Sequence, residues 1–186
     1  MAGSRSLCTR MGALVIGGGP IGVGAYFALK AAGVDDVVVS EPSAGRRAIL
    51  SALEVEHIVD PLSESVIDVC RDLTYGEGVA VAIDCAGAPQ AFPDAMQALS
   101  YSGRMVIVAA FEKPIELSTR LLIGEKVIRS SEIYTREDFG AVIGAMARGG
   151  YRTNGGWIKT VEFGDVERVL RELREGRHMK VLVRTP

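Results

Sequence analysis

The sequence predicts an α/β chain: a doubly wound, six-stranded parallel sheet with helices on both faces, then a helix–strand–helix–strand extension. Three observations carry that prediction. Short β-type runs alternate strictly with helical runs over the first two-thirds of the chain. The runs Ala13-Leu14-Val15-Ile16, Val37-Val38-Val39 and Val79-Ala80-Val81-Ala82-Ile83 carry no polar interruption, as expected of strands buried on both faces. Between the first of these runs and the first helix lies a glycine-dense turn, Gly17-Gly18-Gly19-Pro20-Ile21-Gly22.

Taken in order, the helix that leaves this turn runs to about Lys30. The Val37 to Val39 strand ends at Ser40-Glu41-Pro42, and Ser43 to Leu53 reads as a helix with Arg46 and Arg47 near its start. His57-Ile58-Val59 is a short third strand. Ser63 to Thr74 carries Val66, Ile67, Cys70 and Leu73 at helical spacing. The fourth strand ends at Asp84-Cys85-Ala86-Gly87, a helix runs from Pro89 to Leu99, and Tyr101-Ser102-Gly103 makes a turn into a fifth strand, Arg104 to Ala110. Val127 to Ile133 is a sixth strand, whose polar residues place it at an edge. Thr135-Arg136-Glu137-Asp138 resembles a capping box and opens a helix to Ala147, striped by Phe139, Val142, Ile143 and Met146 and stopped by Gly149-Gly150. Ile158 to Phe163 reads as a strand. Asp165 is expected to cap a last helix with the stripe Val166, Val169, Leu170 and Leu173, and Lys180 to Val183 closes the chain. The expected division is a leader or expression remnant at 1–11, a dinucleotide-binding unit at 12–134 and a C-terminal extension at 135–186.

At 186 residues the chain holds one domain with a sizeable core and is short for two. Hydrophobic residues make up 48%, charged residues 24%, and the net charge is −2, which excludes a global positive field for nucleic acid or an anionic membrane surface. Cys8, Cys70 and Cys85 form no C-x-x-C pair, which suits a reducing, cytoplasmic compartment. Arg5 and Arg10 before an apolar stretch imitate a targeting segment, but the glycines and Pro20 would break such a helix.

Gly17, Gly19 and Gly22 stand at G-x-G-x-x-G spacing, and Glu41 ends the next strand about 20 residues on. A pyrophosphate must approach backbone N–H groups closely. A Cβ at the first or second glycine would block the turn or the phosphate, and the third lets helix and strand pack. The helix N-terminus adds unpaired amides and a positive dipole end, and Pro20 costs nothing at that position. Glu41 is placed to accept from the ribose hydroxyls and to repel a 2′-phosphate, which favours NAD over NADP. Arg46 and Arg47 temper that preference, and Arg47 is expected to be a solvated helix residue. Further cleft residues are expected at the strand ends: Asp84 to Gly87, Val108 to Ala110, and Ile133. Asp84 equally suits a turn, and Cys85 a small buried residue rather than a nucleophile. His57, His178 and the scattered cysteines show no ligand spacing, so neither a metal site nor a catalytic residue of the chain's own is expected.

The runs V-I-G-G-G-P-I-G, S-E-P-S-A-G-R-R, D-C-A-G and Y-T-R-E-D-F resemble the coenzyme half of zinc-dependent medium-chain alcohol dehydrogenases, closest to the butanediol and sorbitol dehydrogenase-like branch. The resemblance runs from about Ala13 to Val183. It implies a Rossmann fold and NAD as cofactor, with Gly19, Pro20 and Ile21 at the pyrophosphate and Glu41 with Arg46 at the adenosine ribose. It further implies Cys85 and Ala86 beside the adenosine, Val108, Ala109, Ala110 and Ile133 near the nicotinamide amide, and Lys180 near the phosphates. In that family a secondary alcohol is oxidised, with zinc held by an amino-terminal barrel-like domain. That domain has no counterpart here, so the chain alone is expected to bind cofactor without turnover. A homodimer through the edge strand near Lys126 to Ile133 is likewise implied, with the extension packing on the missing catalytic domain. One departure is local: Glu54 stands where the family has a glycine turn, so the helix end there is expected to differ. A non-catalytic nucleotide-sensing module is the second reading, and a flavin-binding or methyltransferase fold the third.

Overall fold

The computed structural model describes residues 12–152 and 156–185. The leader expected at 1–11, with Arg5, Cys8 and Arg10, therefore lies outside the described residues. Six strands, β1 (Ala13–Ile16), β2 (Val37–Ser40), β3 (His57–Val59), β4 (Val79–Asp84), β5 (Leu99–Ile107) and β6 (Val127–Ser130), form one parallel sheet in the order β3-β2-β1-β4-β5-β6. Helices α1 (Pro20–Ala31), α2 (Ala44–Ala52), α3 (Val66–Leu73) and α4 (Phe92–Ala98) connect the first five strands. Strand order reverses between β1 and β4, which opens a crevice beyond their carboxyl ends.

Side chains of a strand alternate between faces, so an unbroken apolar run needs cover on both. Leu14, Ile16, Val38, Ala82 and Met105 pack with Cys70, Phe92 and Met96 in one layer. Ala13, Val15, Val37 and Val39 pack with Val23, Tyr26, Phe27 and Leu50 in the other. Serines stand at two helix starts: Ser43 Oγ accepts from the Arg46 amide and Ser65 Oγ from the Asp68 amide.

The extension holds α5 (Arg136–Ala147), β7 (Ile158–Glu162), α6 (Val166–Arg174) and β8 (Lys180–Arg184), with β7 and β8 paired in parallel as a separate sheet. Thr135 and Asp138 form the expected capping box on α5. Met179, with partly buried Tyr151 and Trp157, joins the core layer of α1 and ties the extension to the main sheet.

Four expectations are corrected. The turn at Tyr101-Ser102-Gly103 lies inside β5 as an irregularity: Ser102 has φ +56°, and the β4–β5 register slips between Val79 and Val81. Strand β5 ends at Ile107 rather than Ala110, because the Val108 and Ala109 amides both turn to the Asp84 carbonyl at 3.0 Å. Asp165 does not cap α6; its carboxylate accepts from Arg168 at 2.9 Å. Glu54 does adopt the left-handed conformation, at φ +59°, as α2 ends with Val55 N–H on the Leu50 carbonyl and Glu54 N–H on that of Ser51. That Schellman-type closure imposes the backbone angle whatever residue occupies the position.

Candidate functional site

The glycine turn ends β1 and starts α1, and its geometry explains each glycine. Gly17 has φ +94° and lies against Ala86. A Cβ on Gly18 would come within 2.6 Å of Leu50 Cδ1 and 3.1 Å of the Glu41 side chain. A Cβ on Gly22 would lie 1.8 Å from the Gly17 carbonyl oxygen, so helix and turn can touch only without one. Gly19 differs: the nearest atom to a Cβ there is Arg46 Nη1 at 3.7 Å, so this position faces open space. Pro20 is the first residue of α1, and no side chain caps the helix, whose first-turn amides lack intrahelical partners.

That open space is a cleft of about 470 Å³. Gly17, Gly19, Pro20 and Ile21 form one wall, Glu41 and Arg46 a second, and Cys85 with Ala86 a third. Eight of the fourteen residues expected at the site therefore meet in one cavity. Gly22 supports the turn from behind. Val108 and Ala109 donate their amides to the Asp84 carbonyl, and the Ala110 carbonyl lies 2.5 Å from where a Gly87 Cβ would stand; none of the three lines the cleft. Ile133 follows β6 and is 92% exposed, and Lys180 lies in the β7–β8 pair; neither lines the cleft. Sequence reasoning misses Pro61 and Leu62, which follow β3 and are found by the same strand-end rule, and Gln90 and Asp94 around the start of α4, which no motif marks.

Glu41 is 2% exposed. Its Oε2 accepts from the Gly18 amide and its Oε1 from the Ser43 amide, each at 2.8 Å, and Arg46 Nη1 lies 3.7 Å from Oε2. The carboxylate thus binds the glycine turn to the loop after β2, and each oxygen retains acceptor capacity. Asp84 is also buried; its Oδ1 accepts from the Ala86 and Gly87 amides at 2.8 and 2.9 Å, which makes it the turn residue the sequence allows. Burial and the Asp84 charge push the Cys85 thiol up to about 12, so it stays protonated near neutral pH.

Arg47 is not the solvated residue expected. Its Nη1 donates to the carbonyls of Glu41 at 2.9 Å and Pro42 at 2.7 Å, and its Nη2 pairs with Asp60 at 2.7 Å. Among the described residues, no three His, Cys, Asp or Glu side chains gather to hold a metal. No helix among them is long and apolar enough to cross a membrane.

A family model described as zinc-binding dehydrogenase matches residues 20–148, more than half of the chain. The L-threonine 3-dehydrogenase of Pyrococcus furiosus is 33% identical over 110 residues, covering 59% of this chain and 32% of that protein. The probable diacetyl reductase 2, (R)-acetoin forming, of Saccharomyces cerevisiae is 36% identical over 143 residues, covering 74% and 34%. Among solved structures, 2R,3R-butanediol dehydrogenase from Bacillus subtilis superposes with a TM-score of 0.84 at 32% identity, covering 98% of this chain and 53% of that one. Benzyl alcohol dehydrogenase from Acinetobacter calcoaceticus reaches 0.85 at 17% identity, a likeness of fold alone. The chain spans about a third of the curated relatives' length and half of the solved chains'. The chain thus belongs to the zinc-binding dehydrogenase family, as its nicotinamide-cofactor-binding domain.

Proposed function

We propose that this chain is the NAD-binding half of an enzyme that moves hydride between a secondary alcohol or polyol and NAD. The observation that carries the cofactor choice is Glu41, a buried carboxylate at the end of β2, facing the cleft beside the glycine turn. The cradle fits a dinucleotide: uncapped first-turn amides, an open Gly19 and a third glycine in backbone contact. The amides of Gly19, Ile21 and Gly22 would hold the pyrophosphate, as the helix end favours negative charge. Glu41 would accept from the adenosine ribose hydroxyls, repelling the 2′-phosphate of NADP, with Arg46 at its side. Cys85 and Ala86 would flank the adenosine, and Val108, Ala109, Ala110, Ile133 and Lys180 would lie toward the nicotinamide and phosphates. The cofactor supplies the hydride acceptor; the chain supplies orientation and charge.

In this reading the zinc ligands and most substrate contacts come from a separate catalytic domain. The dinucleotide unit is 12–134, and 135–186 packs against that domain. The chain alone binds cofactor without turnover, works in the cytoplasm and dimerises through β6, the polar edge strand. Titration of the chain against NADH and NADPH by nucleotide fluorescence tests the core of the proposal. Tighter binding of NADH is expected, and failure to bind either at millimolar concentration would overturn it.

A further inference from the structure

Resting on the NAD reading, we propose that Arg47 is a positioning residue for coenzyme selectivity. It acts as a latch that holds the Glu41 carboxylate in place without touching the cofactor. Arg47 and Asp60 are not among the residues lining the cleft, yet between them they bond to Glu41, Pro42 and Leu62, which are. Arg47 Nη1 holds the carbonyls of Glu41 and Pro42, which fixes the backbone that carries the Glu41 side chain. Its Nη2 lies 2.7 Å from Asp60 Oδ2, at the end of β3. Asp60 Oδ1 accepts from the Leu62 amide at 3.1 Å, and Pro61 and Leu62 line the same cleft as Pro42. This ion pair ties the loop after β2 to the loop after β3, beyond the point where the Glu41 amide donates to the Val59 carbonyl at 3.0 Å.

The chemistry suits a guanidinium. Three oxygens from two loops are met by two nitrogens of one planar fork, at 2.7 to 2.9 Å. The pair is about three-quarters buried, with side-chain exposures of 24% and 21%, so screening by solvent is weaker than for a surface pair. Glu41 discriminates between a ribose hydroxyl and a 2′-phosphate only while its carboxylate keeps its place on the Gly18 and Ser43 amides. Loosening the loop lets that charge move away. The cost falls on NADH, which loses its acceptor, and is offset for NADPH, which loses a repulsion.

The test uses the whole chain and measures Kd for NADH and NADPH in wild type, Arg47→Met, Arg47→Lys and Asp60→Asn. The preference for NADH is expected to shrink by about tenfold in Arg47→Met. Asp60→Asn should shrink it less, and Arg47→Lys should recover part of it. In a Glu41→Gln background the Arg47→Met change should leave the NADH-to-NADPH ratio unaltered, since there is no charge left to position. Hydrogen exchange of the Gly18 amide in the free chain gives a cofactor-independent readout. It is expected to quicken in Arg47→Met and Asp60→Asn while amides of β1 stay protected. Equal weakening of both nucleotides, or an unchanged Gly18 exchange rate, would overturn the latch and leave the NAD reading standing. A wild type that prefers NADPH would overturn both.

Discussion

The first helix, α1, and the first helix of the extension, α5, are each twelve residues long, yet they meet different fates. Helix α1 buries Gly22, Val23, Tyr26 and Phe27 against the sheet. Helix α5 buries Ala145 alone, and its stripe of Phe139, Val142, Ile143 and Met146 stays 40 to 57% exposed. Ile133 and Tyr134 extend this apolar surface, with Tyr134 stacked on Phe139. Amphipathic pattern alone therefore says that a helix has an inner face, not that this chain supplies what covers it. The strands repeat the contrast: every residue of β1 and β2 is buried, and none of β8 is.

The contrast can be broken or sharpened by mutation. Gly22→Ala is expected to have the largest effect, about 4 kcal/mol or more, because the new Cβ lands on the Gly17 carbonyl oxygen and one backbone must move. Urea denaturation should show either that loss or a chain that does not fold, and a near-normal midpoint would refute the packing account of the third glycine. Next comes a matched pair. Met105→Ala, in a fully buried β5 position, should cost about 2–5 kcal/mol, whereas Ile143→Ala on α5 should change stability by less than about 0.5 kcal/mol. Similar losses at both sites would mean that the α5 face is covered in solution.

A smaller effect, of opposite sign, is expected at Glu54. Its φ of +59° is unfavourable for a residue with a Cβ, and its partner Arg152 is an exposed cation. Glu54→Gly should raise stability by about 0.5 kcal/mol in the same denaturation assay. A decrease would show that the Arg152 pair outweighs the backbone term. The smallest effect is acid-dependent and confined to the extension. Hydrogen bonds from His178 and Arg168 hold the Glu172 carboxyl at about 2, below its ordinary 4.5. Since folding lowers this pKa, the contribution is present above pH 4.5 and lost as pH falls toward 2. The sole tryptophan, Trp157, adjoins β7 and should report a shift in that window by fluorescence, absent in Glu172→Gln.

Much of this is legible in residue order because the signals are local. The Thr135 and Asp138 box and the glycine turn are both settled within a few neighbours. Glu41 can be found because its distance from the turn reflects one helix and one strand of ordinary length. Arg47 escapes such reading because its partners lie on two loops and a run of arginines has no local signature. The Ser102 irregularity looks like a hairpin-type turn for a similar reason. A positive φ inside a strand is fixed by the register with β4, which no neighbouring residue encodes.

Residue order by itself determined the alternation of strands and helices, the double burial of the central strands and the dinucleotide character of the turn. Each follows from backbone sterics and apolar periodicity over a dozen residues or fewer. Tertiary structure alone decided that Glu41 binds Gly18, that Arg47 joins two loops through Asp60, and that the α5 stripe finds no cover among the described residues. Those outcomes depend on which segments the folded sheet brings within hydrogen-bonding distance, and that is a property of topology.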